Sequence, residues 1–282
     1  MLKNFLFMLG LMLLIGAVLA SEVDLRSEMP PIKGQGKRGT CSVFAATSIM
    51  EFLLKKNTGY YINLSEEYNY WIAKKYTLTN SLLKTYESVD ALAGYLALEG
   101  YKFGAALESD FPYQPNNRFQ LSDPTCTIVD GSYVNRCFSY EPSDTVPVKK
   151  YKVDTQYIER ENIGQFIIKN KKPVLINILW CYDVINQATG RISMPSEEDL
   201  HNCGGHVITL VGYNENNNEF IFRNSWGESW GDHGYGYIPE QYINKHCETC
   251  SQLSHLEDYL ENAQELYIKA SKGISADLID FF

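Results

Sequence analysis

The sequence predicts an α+β protein of two domains, with helices gathered in the first half and strands in the second. Three observations carry this. Residues 41–54 are apolar nearly all round (Val43, Phe44, Ala45, Ala46, Ile49, Met50, Phe52, Leu53, Leu54), the composition of a helix buried inside a domain. Residues 174–180, 206–213 and 219–225 are rich in Val, Ile and Phe and read as strands. Between these halves, residues 114–153 carry Pro115, Pro124, Pro142 and Pro147, an irregular stretch suited to a crossover between domains.

The elements follow in order. Residues 1–20 hold one charge, Lys3, and an apolar run from Phe5 to Leu19, then Ala20 before Ser21. That is the pattern of a secretory signal peptide, with a single membrane anchor as the alternative. Residues 21–39 contain Pro30, Pro31, Gly34, Gly36 and Gly39, which forbids a helix there. Thr40 is placed to cap the buried helix, and Ser65 to cap a second with Tyr68, Trp71 and Ile72 on one face. Ser88 caps a third, Val89 to Glu99, stopped by Gly100. Beyond the crossover comes a helix around 163–169, and Pro173 then opens the first strand. Apolar residues at 253, 256, 260, 263, 266, 267 and 270 predict an amphipathic helix over 251–270. The expected organisation is a signal at 1–20, a helical domain at 21–140, a β-rich domain at 141–246 and a helical extension at 247–282.

Of the 282 residues 45% are hydrophobic, 21% charged and 13% aromatic. This excludes a disordered tail, a collagen and a coiled coil. Net charge is -9, from 25 basic and 34 acidic residues. An acidic chain argues against nucleic acid as a partner, since that needs a positive stripe. No segment after the signal is apolar enough to span a bilayer. The 7 cysteines follow the signal, where an oxidising destination favours disulfides. An odd count leaves at least one thiol free or paired between chains.

Cys41 opens the buried helix after a Gly-rich loop. Backbone N–H groups and the positive helix end favour a thiolate there, and a neighbouring imidazolium would make it a nucleophile. A half-cystine or core cysteine is the plain alternative. Gln35 lies six residues earlier, in Gly34-Gln35-Gly36-Lys37-Arg38-Gly39-Thr40-Cys41. Downstream stand Gly204-Gly205-His206-Val207-Ile208-Thr209 and Asn224-Ser225-Trp226-Gly227, the latter continued by Gly234-Tyr235-Gly236-Tyr237. Three such motifs in this order resemble the papain-like cysteine peptidases. The resemblance covers roughly residues 23–240. The gap from Cys41 to His206 exceeds the family's usual ~130–150 residues, which suggests inserted loops.

The resemblance implies a two-domain papain-like fold: a mostly helical domain with a central buried helix, a β-barrel-like domain, and an active-site cleft between them. It implies a secreted cysteine endopeptidase. Cys41 would attack the scissile carbonyl, and His206 would hold it as a thiolate and later protonate the leaving amine. Asn224 would orient His206, and Gln35 with the Cys41 N–H would form the oxyanion hole. Trp226 would shield the His206–Asn224 bond. Taken singly, His206 reads equally as a core histidine, Asn224 as a turn residue, and Trp226 and Trp230 as core aromatics. Glu87, Ser88, Asp90, Leu179, Gly204 and Gly205 are the candidates to bind substrate, with the range 179–181 as a whole near the pocket. The acidic Glu87 and Asp90 would favour a basic side chain, or simply serve the start of a helix.

This chain departs from the family's pattern. Arg38 stands where many members have a cysteine that braces the loop, and Ser42 replaces the usual Trp after the nucleophile. Residues 21–31 leave no room for the family's inhibitory prodomain. Latency is therefore expected from the 251–270 segment or from a separate protein inhibitor. No cofactor and no metal are implied. Polypeptides are the expected substrates, and the chain is expected to act as a monomer in an extracellular, periplasmic or lysosome-like compartment. His201, Cys203, His206, His246, Cys247 and Cys250 could alternatively hold zinc. Proximity suggests the disulfides Cys126–Cys137, Cys181–Cys203 and Cys247–Cys250, although sequence does not fix connectivity. Two further readings remain: a transpeptidase or amidase using the same acyl-enzyme, and a catalytically silent binding module of the same fold.

Overall fold

The computed structural model of the chain describes residues 22–77, 104–129, 132–133, 137–151, 154–247 and 252–255. Strand β1 (Glu22–Asp24) leads into a strap over residues 25–40 that turns at 26–29 and 36–39. Helix α1 (Cys41–Thr58) follows, buried at every position from Ser42 to Leu54, as its all-round apolar composition requires. Gly59 ends it in the left-handed conformation at φ 78°, with its N–H on the Lys55 carbonyl, and Lys55 and Lys56 occupy the last turn, where the helix dipole favours cations. At the other end Thr40 holds the N-cap position but makes no cap bond. Its hydroxyl instead donates to the Tyr113 hydroxyl at 2.7 Å, because that hydroxyl's own hydrogen is given to the Gln35 carbonyl. The Val43 and Phe44 N–H groups bond to the Thr40 carbonyl, and the Thr40 side chain caps neither the Cys41 nor the Ser42 N–H.

Helix α2 (Glu66–Ile72) is capped by Ser65, whose hydroxyl accepts the Tyr68 N–H. A π-helical turn, Ala73–Thr77, continues it. Strands β2 (Ile128–Val129) and β3 (Ser132–Tyr133) pair as a short ribbon. Then come β4 (Asp154–Tyr157), α3 (Ile163–Asn170), β5 (Val174–Cys181), β6 (Cys203–Asn214), β7 (Glu219–Arg223), β8 (Tyr235–Pro239), α4 (Glu240–His246) and β9 (Gln252–His255). The helix expected around 163–169 and the strands expected near 174, 206 and 219 are all present. The helix expected after Ser88 lies outside the described residues.

The 12-residue strand β6 organises the second half. One edge carries β7, which in turn pairs β8. The other edge carries β5, from Val174↔Leu210 to Cys181↔Cys203, and then β1, from Asp24↔Gly212 to Glu22↔Asn214. All pairings are antiparallel, and the sheet curls into a half-barrel against the helices. The N-terminal strand thus crosses to the β-rich half and completes its sheet. Helix α1 lies against β6, where Thr209 Oγ1 donates to the Ala45 carbonyl at 3.3 Å. One buried apolar cluster therefore runs through both halves, from Ile49 and Phe52 to Ile208 and Phe222.

Cys126 is bonded to Cys137 and Cys181 to Cys203. Cys247 is also disulfide-bonded, and Cys250 lies outside the described residues. The helix expected over 251–270 starts instead as strand: Gln252–His255 pairs with Asp154–Tyr157. A backbone partner on β4 outweighs a helical side-chain pattern there. Residues 256–270 lie outside the described residues.

Gly36 is a position where only glycine fits. Its φ is +63°, and a Cβ would stand 2.8 Å from the Pro115 carbonyl oxygen. At Gly59 φ is +78° and nothing lies within 4 Å of an added Cβ. Gly59→Ala is expected to cost only the left-handed penalty of about 1–2 kcal/mol, and Gly36→Ala clearly more. Urea unfolding of both variants checks this, and equal losses would show that the Pro115 contact does not constrain the loop.

Candidate active site

His206 sits in β6 opposite Ile178 and is buried. Its Nε2 lies 2.9 Å from Asn224 Oδ1. The same oxygen accepts the Ser225 N–H at 2.8 Å, so it acts as an acceptor towards the ring as well. Nε2 therefore carries the hydrogen, and Nδ1 keeps its lone pair. Asn224 follows the end of β7 and is fixed by its own N–H, donated to the Gly234 carbonyl at 3.0 Å. The Trp226 ring lies 5.1 Å from the imidazole, centre to centre, and the Trp180 ring 4.6 Å away on an edge-to-face approach. Trp230 packs on Trp226 and donates its indole N–H to Gln187 Oε1 at 2.6 Å, which makes it a core aromatic as expected.

Cys41 is a free, half-buried thiol at the first position of α1. The N–H groups of Val207, Ser42 and Cys41 itself are directed at its sulfur. Two of these belong to the helix end that Thr40 leaves uncapped. Val207 follows His206 in β6, so the thiol lies against that strand. Gln35 is buried, and its amide is held at both ends. Oε1 accepts the Ser225 hydroxyl at 2.6 Å, and Nε2 donates to the Arg38 carbonyl at 2.7 Å. The second Nε2 hydrogen remains available to a ligand. Cys41, His206, Asn224, Gln35 and Trp226 are thus gathered where α1 begins and β6 and β7 pass.

Burial acts on both titrating groups. It pushes the Cys41 thiol up, with the surrounding N–H groups opposing. It pulls the His206 imidazolium down to about 4, with the Asn224 bond opposing. Each group taken alone favours its uncharged form.

Leu179 is half-buried opposite Gly205, and Trp180 stands opposite Gly204. An added Cβ would meet nothing within 4 Å at Gly205, and at Gly204 only the Tyr182 ring and hydroxyl, the latter at 3.8 Å. These positions flank His206 on two adjacent strands. Trp180, within the range expected to line a pocket, is instead buried beside the imidazole. Glu87, Ser88 and Asp90 lie outside the described residues. The zinc alternative loses two of its ligands: Cys203 and Cys247 are in disulfides, and a disulfide sulfur is not a thiolate ligand. His206 is bonded to Asn224, and among the described residues no cluster of three metal-ligating side chains occurs.

Sequence reasoning missed the charged groups behind the site. Lys33 Nζ reaches Glu51 Oε1 at 2.7 Å and Glu66 Oε1 at 2.8 Å. Burial opposes the Lys33 charge, but the two glutamates overcome it and hold the ammonium ionised. Burial and the charge of Glu51 push Glu66 up to about 8 against the pull of Lys33. Arg223 donates to the Pro30 carbonyl at 2.7 Å and to the Pro31 carbonyl at 2.5 Å. The available signal was weak: a lone Glu at 51 inside an otherwise apolar helix demands a buried partner.

The sequence profile of the papain family cysteine proteases matches residues 19–256. The chain belongs to this family. It is 27% identical over 223 residues to "Cysteine proteinase 3" of Entamoeba histolytica, which covers 76% of this chain and 60% of that protein. It is 44% identical over 145 residues to an uncharacterised peptidase C1-like protein of Acanthamoeba polyphaga mimivirus, covering 50% of this chain and 44% of that one. The chain spans 60% or less of the length of these two curated relatives. Xylellain, a cysteine protease from Xylella fastidiosa, superposes with a TM-score of 0.64 at 21% identity, over 84% of this chain and 86% of that one. That likeness is one of fold: helices packed on a curled antiparallel sheet.

A buried imidazole depressed to about 4, against about 6.5 unfolded, binds its proton more weakly when folded. Its contribution to stability is complete above pH 6.5 and is lost as pH falls towards 4, by a few kcal/mol. The stability gap between wild type and His206→Gln should shrink over that window in urea titrations. A gap that widens would mean that the imidazolium is held in the folded state.

Proposed function

We propose that this chain is a cysteine endopeptidase acting on polypeptides through Cys41, His206, Asn224 and Gln35. The observation that carries the reading is the His206 Nε2 bond to Asn224 Oδ1. It leaves Nδ1 unprotonated beside the strand residue whose N–H faces the Cys41 sulfur. In the first step the Cys41 sulfur bonds to the scissile carbonyl carbon, and the thiol proton passes to His206 Nδ1. The carbonyl oxygen becomes an oxyanion, met by the Cys41 N–H and the second Nε2 hydrogen of Gln35. The carbon–nitrogen bond then breaks, and His206 gives its proton to the leaving amine. Water cleaves the thioester by the reverse proton route and regenerates the thiol. Trp226 and Trp180 keep solvent from the imidazole–Asn224 bond.

The coupling of Cys41 and His206 decides their charge state. In general, opposite charges brought to ~4 Å at an effective dielectric of ~20 attract by about 4 kcal/mol. The imidazolium's burial penalty is of the same order, about 3 kcal/mol. Neutral pair and ion pair are therefore close in energy, and substrate entering the cleft can tip the proton from sulfur to nitrogen.

Two disulfides among the described residues and the apolar segment at 1–20 support delivery to an oxidising, extracytoplasmic compartment. No helix among the described residues is long and apolar enough to cross a membrane. A cleft that gathers a thiol at a helix start also suits capture by a protein inhibitor. Leu179, Gly204 and Gly205 flank His206 and form one wall against which substrate lies.

Two measurements test the reading. A peptidyl epoxide should modify Cys41 alone, as located by mass spectrometry, and His206→Ala should abolish the adduct. Cys41→Ser should lower kcat by ~10⁴-fold or more with the fold intact, while Asn224→Ala should retain a reduced rate. Wild-type turnover in Cys41→Ser would sink the assignment.

A further inference from the structure

Arg38 occupies the loop position where the family often has a bracing cysteine, yet it is among the most deeply buried side chains, 1% exposed. Its guanidinium forms a two-pronged pair with Glu67, whose side chain is 0% exposed. Nη1 also donates to the Gln114 carbonyl at 2.7 Å, and Nη2 to the Phe138 carbonyl at 2.8 Å. The rings of Tyr70 and Tyr113 each lie 4.9 Å from its central carbon, and that of Tyr140 lies 5.9 Å away. Glu67 is tied in turn to the N–H groups of Gln114 at 3.2 Å and Tyr140 at 3.3 Å. One buried pair therefore joins the strap, α2 and the segments at 113–115 and 137–140. Burial opposes the charge on Arg38, but Glu67 overcomes it and keeps the guanidinium ionised.

The consequence falls on Gln35. The Arg38 carbonyl accepts both the Thr40 N–H at 2.9 Å and the Gln35 amide at 2.7 Å. With Ser225 holding Oε1, this bond fixes the rotation of the amide and selects which Nε2 hydrogen is left over. We propose that Arg38 and Glu67 are positioning residues for acyl transfer: their pair holds the loop so that the Arg38 carbonyl aims the free hydrogen of Gln35 at the substrate's oxyanion. A fork of five donors suits this place better than a point charge, because four acceptor oxygens converge on it from different segments. The inference rests on the peptidase reading for its functional consequence, and on the Gln35–Arg38 bond alone for its structural one.

The test compares wild type with Arg38→Lys and with the double variant Arg38→Met/Glu67→Leu. Arg38→Met alone would strand a buried carboxylate, whereas replacing both partners by apolar side chains commonly keeps a fold. Three quantities are measured: peptide hydrolysis, alkylation of Cys41 by iodoacetamide, and the NMR signals of the Gln35 side-chain amide, assigned with Gln35→Glu. Alkylation forms a carbon–sulfur bond and expels iodide at a saturated carbon. No oxyanion develops, so it reads the thiol and not the hole. The double variant should lose ~10²-fold in kcat, the scale of one oxyanion donor, with KM changed about threefold or less. Alkylation should stay within about twofold, and the Gln35 amide signals should shift. Arg38→Lys should recover part of kcat. Hydrolysis and alkylation falling together would make the pair merely structural and overturn the proposal, as would unchanged kcat or unmoved Gln35 signals. A wild-type protein without hydrolysis whose Gln35 signals still move in the double variant would sink the peptidase reading and leave the positioning intact.

Discussion

The candidate site depends on a seam between residues 30–35 and 223–227. Arg223 reaches back to the Pro30 and Pro31 carbonyls, Gln35 N–H binds the Ser225 carbonyl at 2.8 Å, and Gly227 N–H binds the Lys33 carbonyl at 3.3 Å. The Ser225 hydroxyl closes it on Gln35. These partners lie about 190 residues apart in sequence, so chain connectivity contributes nothing to their alignment. Closing so long a loop costs little more than closing one half as long. The direction of the bonds, rather than proximity along the chain, sets where the Gln35 amide and the His206 ring stand relative to each other.

Buried charge flanks the seam on both sides. Lys33 gathers Glu51, Glu66 and the Leu64 carbonyl beneath the strap. Glu66 is pushed up to about 8 there by burial, against the pull of Lys33. The Arg38–Glu67 ion pair lies on the loop side. A pair taken from water gains little overall stability, because desolvation offsets most of the attraction. Its effect is geometric: a displaced strap would leave a charge unpaired in the interior, and that is what makes alternative placements costly. The loop beside Cys41 is thereby braced without sulfur. A thiol at position 41 has no disulfide three residues away with which to exchange.

Much of this was legible in the chain. The all-round apolar segment announced α1, the β-branched runs announced β5, β6 and β7, and the order of Gln35, Cys41, His206 and Asn224 pointed to the candidate site. What escaped depended on tertiary partners. Thr40 looks like a cap, but the Tyr113 hydroxyl, 73 residues on, claims it. Trp180 reads as one more strand residue until the pairing with β6 sets it against the imidazole. Arg38 reads as a lost cysteine, since nothing local shows that Glu67 and three tyrosines surround it. The segment at 251–270 carries a helical pattern, yet Gln252–His255 pairs with β4, a backbone contact that a side-chain period does not encode. In each case a partner distant in sequence decided what a local reading could not.

The uncapped start of α1 ties these points together. A conventional cap would spend the first N–H groups of the helix on a side-chain oxygen. Here Thr40 turns to Tyr113, and the N–H groups of Cys41 and Ser42 face the sulfur together with that of Val207. The helix end thus supplies donors to a group that burial would keep protonated, while burial keeps His206 ready to accept a proton rather than to hold one. A site in which both partners prefer neutrality, but which surrounds the thiol with donors for its anion, stores little charge at rest. In the proposed acyl transfer, charge would arise when a proton moves and a bond forms, the moment at which preorganised dipoles are worth most. The same N–H of Cys41 would then face the oxyanion, so that one helix terminus would serve the sulfur before the attack and the carbonyl oxygen after it.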